Sequence, residues 1–163
     1  MHDLLELGFK VGTGSIVGLP GHTVEHLADD ILLAKRLGVH MVSASPFVPA
    51  SRTPLENYPQ GSVPLTLRAI AVSRLAMPEA LIPSVSALEV GNPGGQSAGL
   101  QAGANVLTVN FTPEDHRSNY LIYGSKRHVV TLQHVRDVLN GNNLRMGGSW
   151  WIAASENQNT GRQ

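Results

Sequence analysis

Gly14-Ser15-Ile16-Val17-Gly18-Leu19-Pro20-Gly21-His22-Thr23 is the stretch that decides the fold of this chain. Its first residues read as a short buried strand. Gly18-Leu19-Pro20-Gly21 then forces a turn, and Thr23 is a good helix N-cap. A strand that runs through a glycine-rich turn into a helix is how parallel α/β enzymes present backbone to a ligand.

Working outward, the same grammar repeats. The strand is expected over Val11 to Leu19. The helix after Thr23 carries Val24, Leu27, Ile31, Ala34 and Leu37 at helical spacing and stops at Gly38. A second strand, Val39 to Ala44, leads into the loop Ser45-Pro46-Phe47-Val48-Pro49, and Pro64 opens a helix that Pro78 stops. A third strand is expected over Leu81 to Leu88, followed by Gly91-Asn92-Pro93-Gly94-Gly95 and a short helix through Ala102. The fourth is expected over Ala104 to Asn110, with Thr112-Pro113-Glu114-Asp115 as a helix start. A last helix is expected over Leu132 to Asn140.

Strands alternating with helices predict an α/β fold with right-handed parallel connections. About four βα units are half of what an eight-stranded barrel needs, and such barrels run to roughly 250 residues. An open four-stranded sheet would leave two bare edges. The reading is a half barrel over residues 1–145, completed by a missing half or by a second copy of itself. Residues 146–163, with Trp150-Trp151 and a polar run, are expected to form a disordered tail outside that pattern.

Composition narrows the chemistry. Among 163 residues there is no cysteine, which removes disulfides, thiolate catalysis and a cysteine-ligated cluster held by this polypeptide alone. Twelve Lys and Arg balance twelve Asp and Glu, so no single-sign field draws in nucleic acid or an anionic membrane. The start, Met1-His2-Asp3-Leu4-Leu5-Glu6, has acids where a secretory signal wants basic residues. No run approaches the roughly 20 apolar residues of a membrane span. A cytoplasmic location is expected.

Several short stretches occur in a consistent order: Leu7-Gly8-Phe9-Lys10-Val11-Gly12-Thr13-Gly14, Ile16-Val17-Gly18-Leu19-Pro20-Gly21, Pro46-Phe47-Val48-Pro49 with Thr53-Pro54-Leu55, Ala102-Gly103-Ala104-Asn105-Val106, and Asn110-Phe111-Thr112-Pro113. In this order the chain resembles the radical S-adenosylmethionine (SAM) enzymes related to biotin synthase. Within that group it is most similar to those of [FeFe]-hydrogenase maturation. The likeness runs from roughly residue 3 to residue 140 and implies the C-terminal half of a (β/α)8 TIM-type barrel, strands five to eight.

The resemblance implies SAM and a [4Fe-4S] cluster as cofactors of the parent enzyme, the cluster held by three cysteines in the N-terminal half. There the cluster splits SAM into methionine and a 5′-deoxyadenosyl radical that abstracts hydrogen from a small-molecule substrate. Those cysteines are absent here, and the stretch Tyr123-Gly124-Ser125-Lys126-Arg127-His128 also lacks the cysteines some relatives use for an accessory cluster. The chain alone is therefore expected to be inactive.

The resemblance places Ile16 near the adenine, with Phe47 and Val48 as a wall beside the adenosyl group. Judged by residue type, Ile16 and Val17 are barrel core and Phe47 is packing. Ser84, Ser86, Thr108 and Asn110 fall at alternate positions of the third and fourth strands, so they face a substrate carboxylate or amine, or bond one another inside the barrel. Relatives tend to carry two threonines where this chain has Val85-Ser86, a glutamine at the His22 position, and a different run at Ala50-Ser51-Arg52.

Other signals are weaker. His22 and His26 are four apart, but His22 precedes the helix cap, so the pair is expected on different faces and solvated. Asp29-Asp30 reads as a solvated helix face. Gly94-Gly95 before a helix suits either an anion on backbone amides or a turn that needs glycine. Two further readings stay open: a free-standing half barrel that dimerises as a non-catalytic small-anion-binding or scaffold module, and a fragment of a biotin synthase-type sulfur-inserting enzyme.

Overall fold

The computed structural model describes residues 1–119 and 128–147. The expected tail beyond Gly147, with Trp150-Trp151, and the stretch 120–127 lie outside the described residues. A short helix α1 (His2–Glu6) leads into strand β1 (Gly12–Val17), helix α2 (Val24–Leu37), strand β2 (Met41–Pro46) and helix α3 (Val63–Ala76). Two smaller helices, α4 (Gly95–Gln101) and α5 (Leu132–Gly141), follow, with 3-10 turns at Ser86–Glu89 and Glu114–Asn119. Among the described residues no helix is long and apolar enough to cross a membrane.

β1 and β2 are parallel neighbours, with Gly14 opposite Ser43 and Ile16 opposite Ser45. The parallel order continues as single bridges, Met41 to Leu81 and Pro83 to Val106. The molecule is thus α/β, with four extended segments side by side in chain order. Alternation along the strands separates two faces. Val17, Val42, Ala44 and Pro46 are buried toward the helices, and Leu27, Ile31, Ala34, Ala69 and Ile70 of α2 and α3 close that core. The other face, Gly12, Gly14, Ile16 and Met41, is open.

α2 begins where Thr23 predicts. The Thr23 hydroxyl accepts from the His26 amide, the Thr23 amide donates to His26 Nδ1, and Gly38 closes the helix in the left-handed region at φ 65°. α3 starts at the Ser62 cap with Pro64 in its first turn.

The third and fourth strands do not form as expected. Leu81 to Leu88 keeps only its first residues extended, because Pro83 has no amide for a ladder and the chain coils into 3-10 geometry at Ser86. In Ala104 to Asn110 only Val106 bridges. A side chain does part of the strand's work: Asn105 Oδ1 accepts from the Ile82 amide at 2.7 Å. Ser84 and Ser86 therefore do not share a strand face.

Within the glycine-rich turn after β1, Gly18 also has a packing role. A side chain on Gly18 (φ 90°) would meet the Gly61 Cα at 2.6 Å, so this glycine lets the segment before α3 pack against the end of β1. Gly61 in turn donates its amide to the Phe47 carbonyl at 2.8 Å.

Candidate functional site

Among the described residues, a concavity lies at each end of the extended segments. One, of about 360 Å³, is lined by Val39, His40, Met77 and Leu81, which precede the segments. The other, of about 430 Å³, is lined by Ser86, Thr108, Asn110, Phe111, His128 and Val130, which follow them. In parallel barrels chemistry sits at the C-terminal ends of the strands. The second concavity is at that end, together with Ile16, Phe47 and Val48.

The seven residues singled out in the sequence divide into four groups. Ser86, Thr108 and Asn110 line the 430 Å³ concavity together. Ile16 stands on the open sheet face, 46% exposed, so its side chain has free apolar surface to offer. Phe47 and Val48 are buried at 9% and 6%, and Val48 packs with Ala87 and Val90. The Phe47 amide also donates to the Val17 carbonyl at 2.9 Å. These two anchor the loop after β2 to the chain's own core.

Ser84 is apart from the rest. It is fully buried; its hydroxyl donates to the Gln96 carbonyl at 2.8 Å, and its carbonyl accepts from Gln96 Nε2 at 2.7 Å. Gln96 Oε1 then meets His134 Nε2 at 2.8 Å. Because the Gln96 amide nitrogen is already engaged, its oxygen must accept, and His134 donates from Nε2. His134 lies edge-on to His128, ring centroids 4.6 Å apart. A polar chain thus runs from Ser84 through Gln96 and His134 to the imidazole in the concavity wall.

His128 was not singled out as a site residue. It titrates below the ordinary histidine range, first because burial disfavours its charged form, then because His134 opposes it; Glu89 pulls weakly the other way. Asn110 is held by its own backbone: Oδ1 accepts from the Thr112 amide at 2.8 Å, and the Asn110 amide donates to the Val130 carbonyl at 2.9 Å. Asn110 Nδ2 and His128 Nε2 are buried and have no hydrogen-bond partner among the described residues.

The anion site imagined at Gly94-Gly95 is filled by the chain itself. Glu89 accepts from the Gly94 amide at 2.9 Å and from the Gln96 amide at 2.8 Å. Gly95 is required by close packing, since a side chain there would collide with the Leu88 carbonyl.

His22 and His26 do not point apart as expected. Their rings stack at 5.4 Å, because His26 folds back to accept from the Thr23 amide. Asp30 accepts from the Ser15 hydroxyl at 2.7 Å and lies 3.8 Å from His22 Nε2, so it is tied to the strand rather than merely solvated. Among the described residues no group of three or more metal-ligating side chains gathers.

No family model matches the chain. It is 42% identical over 123 residues to the [FeFe] hydrogenase maturase subunit HydE of Thermotoga maritima, covering 76% of this chain and 35% of that protein. It is 33% identical over 133 residues to a biotin synthase of Pelotomaculum thermopropionicum, covering 82% of this chain and 39% of that protein. The crystal structure of methylornithine synthase (PylB) superposes with a TM-score of 0.72 at 26% identity, covering 92% of this chain and 44% of that one. The chain thus spans between about a third and two fifths of the length of these two curated relatives. Sequence likeness and a shared parallel α/β backbone point the same way, and the chain belongs to the biotin synthase-like radical SAM family as a counterpart of the C-terminal part of its members.

Proposed function

We propose that this chain supplies the SAM- and substrate-facing half, strands five to eight, of a radical SAM barrel of the [FeFe]-hydrogenase maturation type. The observation that carries this reading is the coincidence of the family likeness with the open strand face. Ile16 is exposed on that face, at the same end of the segments as the Ser86, Thr108 and Asn110 concavity.

The residues present do not fit a cysteine-ligated cluster, since the chain has no cysteine, and we assign it no step that needs one. They do fit one wall of a SAM pocket. Ile16 offers apolar surface to the adenine, while Phe47 and Val48, fixed by their own packing, hold the adjoining loop behind it. Ser86, Thr108 and Asn110 face the substrate. Ser84 acts at one remove, by locking Gln96. The partner is a cluster-bearing N-terminal half, which covers the open face.

The test is reconstitution. The chain is combined with the N-terminal half of a close relative, the cluster is rebuilt, and 5′-deoxyadenosine formation from SAM is followed. The proposal expects cleavage by the combined halves and none by this chain alone. Cleavage-competent relatives that exclude this chain, or a discrete dimer of it that resists combination, would favour the scaffold reading. Sulfur insertion by the reconstituted barrel would favour the biotin synthase-type parent.

A further inference from the structure

The hydroxyls of Ser86 and Thr108 can donate or accept, so they do not say whether the concavity receives a carboxylate or an amine. Asn110 does say. Its oxygen is already bonded to the Thr112 amide, leaving Nδ2, which can only donate. A buried donor without a partner is costly, so this wall suits an acceptor that the described residues do not provide.

His128 Nε2 is the second orphan in the same wall. Its ring is held against His134, whose own Nε2 is committed to Gln96, and the Gln96 side chain is clamped by Ser84. A ring seated this way presents one nitrogen in a defined direction, as ligand-reading histidines do. We propose that Asn110 Nδ2 and His128 Nε2–H form a two-donor clamp for a carboxylate of a small-molecule ligand. This deepens, and rests on, the reading of this concavity as substrate-facing.

Among the described residues, the titratable groups that act on His128 are His134 on α5 and Glu89 on the 3-10 turn. Glu89 is neutralised in part by the Gly94 and Gln96 amides that it accepts from. A carboxylate arriving at Nε2 is a nearer anion, so it favours the imidazolium and raises the pH at which His128 titrates. By linkage, the carboxylate binds more tightly as pH falls through that value.

The experiment is a histidine-ring NMR titration of the full 163-residue chain, with acetate as probe and methylammonium as counter-probe. Acetate should move His128 and raise its titration midpoint; methylammonium should do neither. Asn110→Asp, which puts an anion in the clamp, should weaken acetate by roughly tenfold or more, about what one charge-assisted hydrogen bond supplies. His128→Gln keeps a donor and should retain acetate binding while losing its pH dependence; His128→Phe should lose both. The other histidine signals report that each variant is folded. A response to methylammonium in place of acetate, or an acetate response that Asn110→Asp leaves intact, would overturn the clamp. SAM cleavage by reconstituted halves with a silent His128 overturns the clamp alone. An acetate response without cleavage upholds the clamp and overturns the parent assignment.

Discussion

Gly95 packs its Cα against the carbonyl of Leu88, while Gly14 packs against the side chain of Ser43. The two contacts predict different costs. At Gly95 a methyl group meets backbone that is pinned on both sides by Glu89 and the α4 turn, so Gly95→Ala should lose about 2–3 kcal/mol. At Gly14 the nearest atom is a serine hydroxyl that can rotate, although the Ser43 carbonyl also stands at 2.7 Å. Gly14→Ala should therefore cost less, about 1–2 kcal/mol, and Ser43→Gly should return part of it. Urea denaturation of the two singles and the double measures both.

His128 carries a pH signature at this scale. Its folded titration point lies below the unfolded value, so below pH 6.5 the unfolded chain binds a proton that the folded one resists. Stability should fall as pH drops through that value and level off below the folded one. His128→Phe should flatten this segment of a stability-against-pH curve, and an unchanged slope would remove the assignment. His128 was missed in the sequence for a physical reason. Its neighbours are brought by tertiary packing, with Gln96 and His134 38 residues apart, and no local spacing records such a meeting. That Asn110, Ser86 and Thr108 gather at one concavity follows from their place at the expected ends of βα units.

The elements differ in how plainly they are written. α2 was readable end to end because Thr23 and Gly38 mark it chemically, and α3 because Pro64 and Pro78 bracket it. The third and fourth strands were not readable, because their apolar runs look like strands while Pro83 lacks an amide for the ladder and the Ile82 amide goes to the Asn105 side chain. Arg74 shows how these irregular segments are held. From α3 its Nε donates to the Gly103 carbonyl at 2.8 Å, and Nη1 donates to Pro78 at 2.6 Å and Ala80 at 2.9 Å. One guanidinium thus ties the end of α3 to the starts of both segments. Lysine has the charge but not the fork. Arg74→Lys should cost about 2–3 kcal/mol, the scale of one lost hydrogen bond to a charged donor, since the lysine ammonium can keep part of the set. Faster amide exchange at Ile82, Ser84 and Val106 should accompany it, while the β1–β2 amides keep their protection. Uniform loss of protection would mean that Arg74 supports the whole fold rather than this corner.

At the scale of the molecule, the open sheet face is the feature that asks for a partner. Ile16 and Met41 are 46% and 39% exposed there, beside Gly12 and Gly14, although the opposite face of the same strands is buried. A barrel interior is ordinarily a packed core. The same side chain should therefore behave oppositely in two contexts. In the isolated chain Ile16→Lys touches little and should change stability by no more than about 0.5 kcal/mol, while lowering the fluorescence of a hydrophobic dye bound to the face. In a barrel reconstituted with a cluster-bearing half, the lysine would enter an apolar interior beside the adenine and should weaken SAM binding by roughly tenfold or more. Thermal denaturation of the chain and equilibrium binding to the combined halves read the two effects separately. If Ile16→Lys instead unfolds the isolated chain, or splits a dimer of it, the face is already covered by a second copy. The half barrel would then be complete in itself, and the radical enzyme would no longer be needed to explain its open strands.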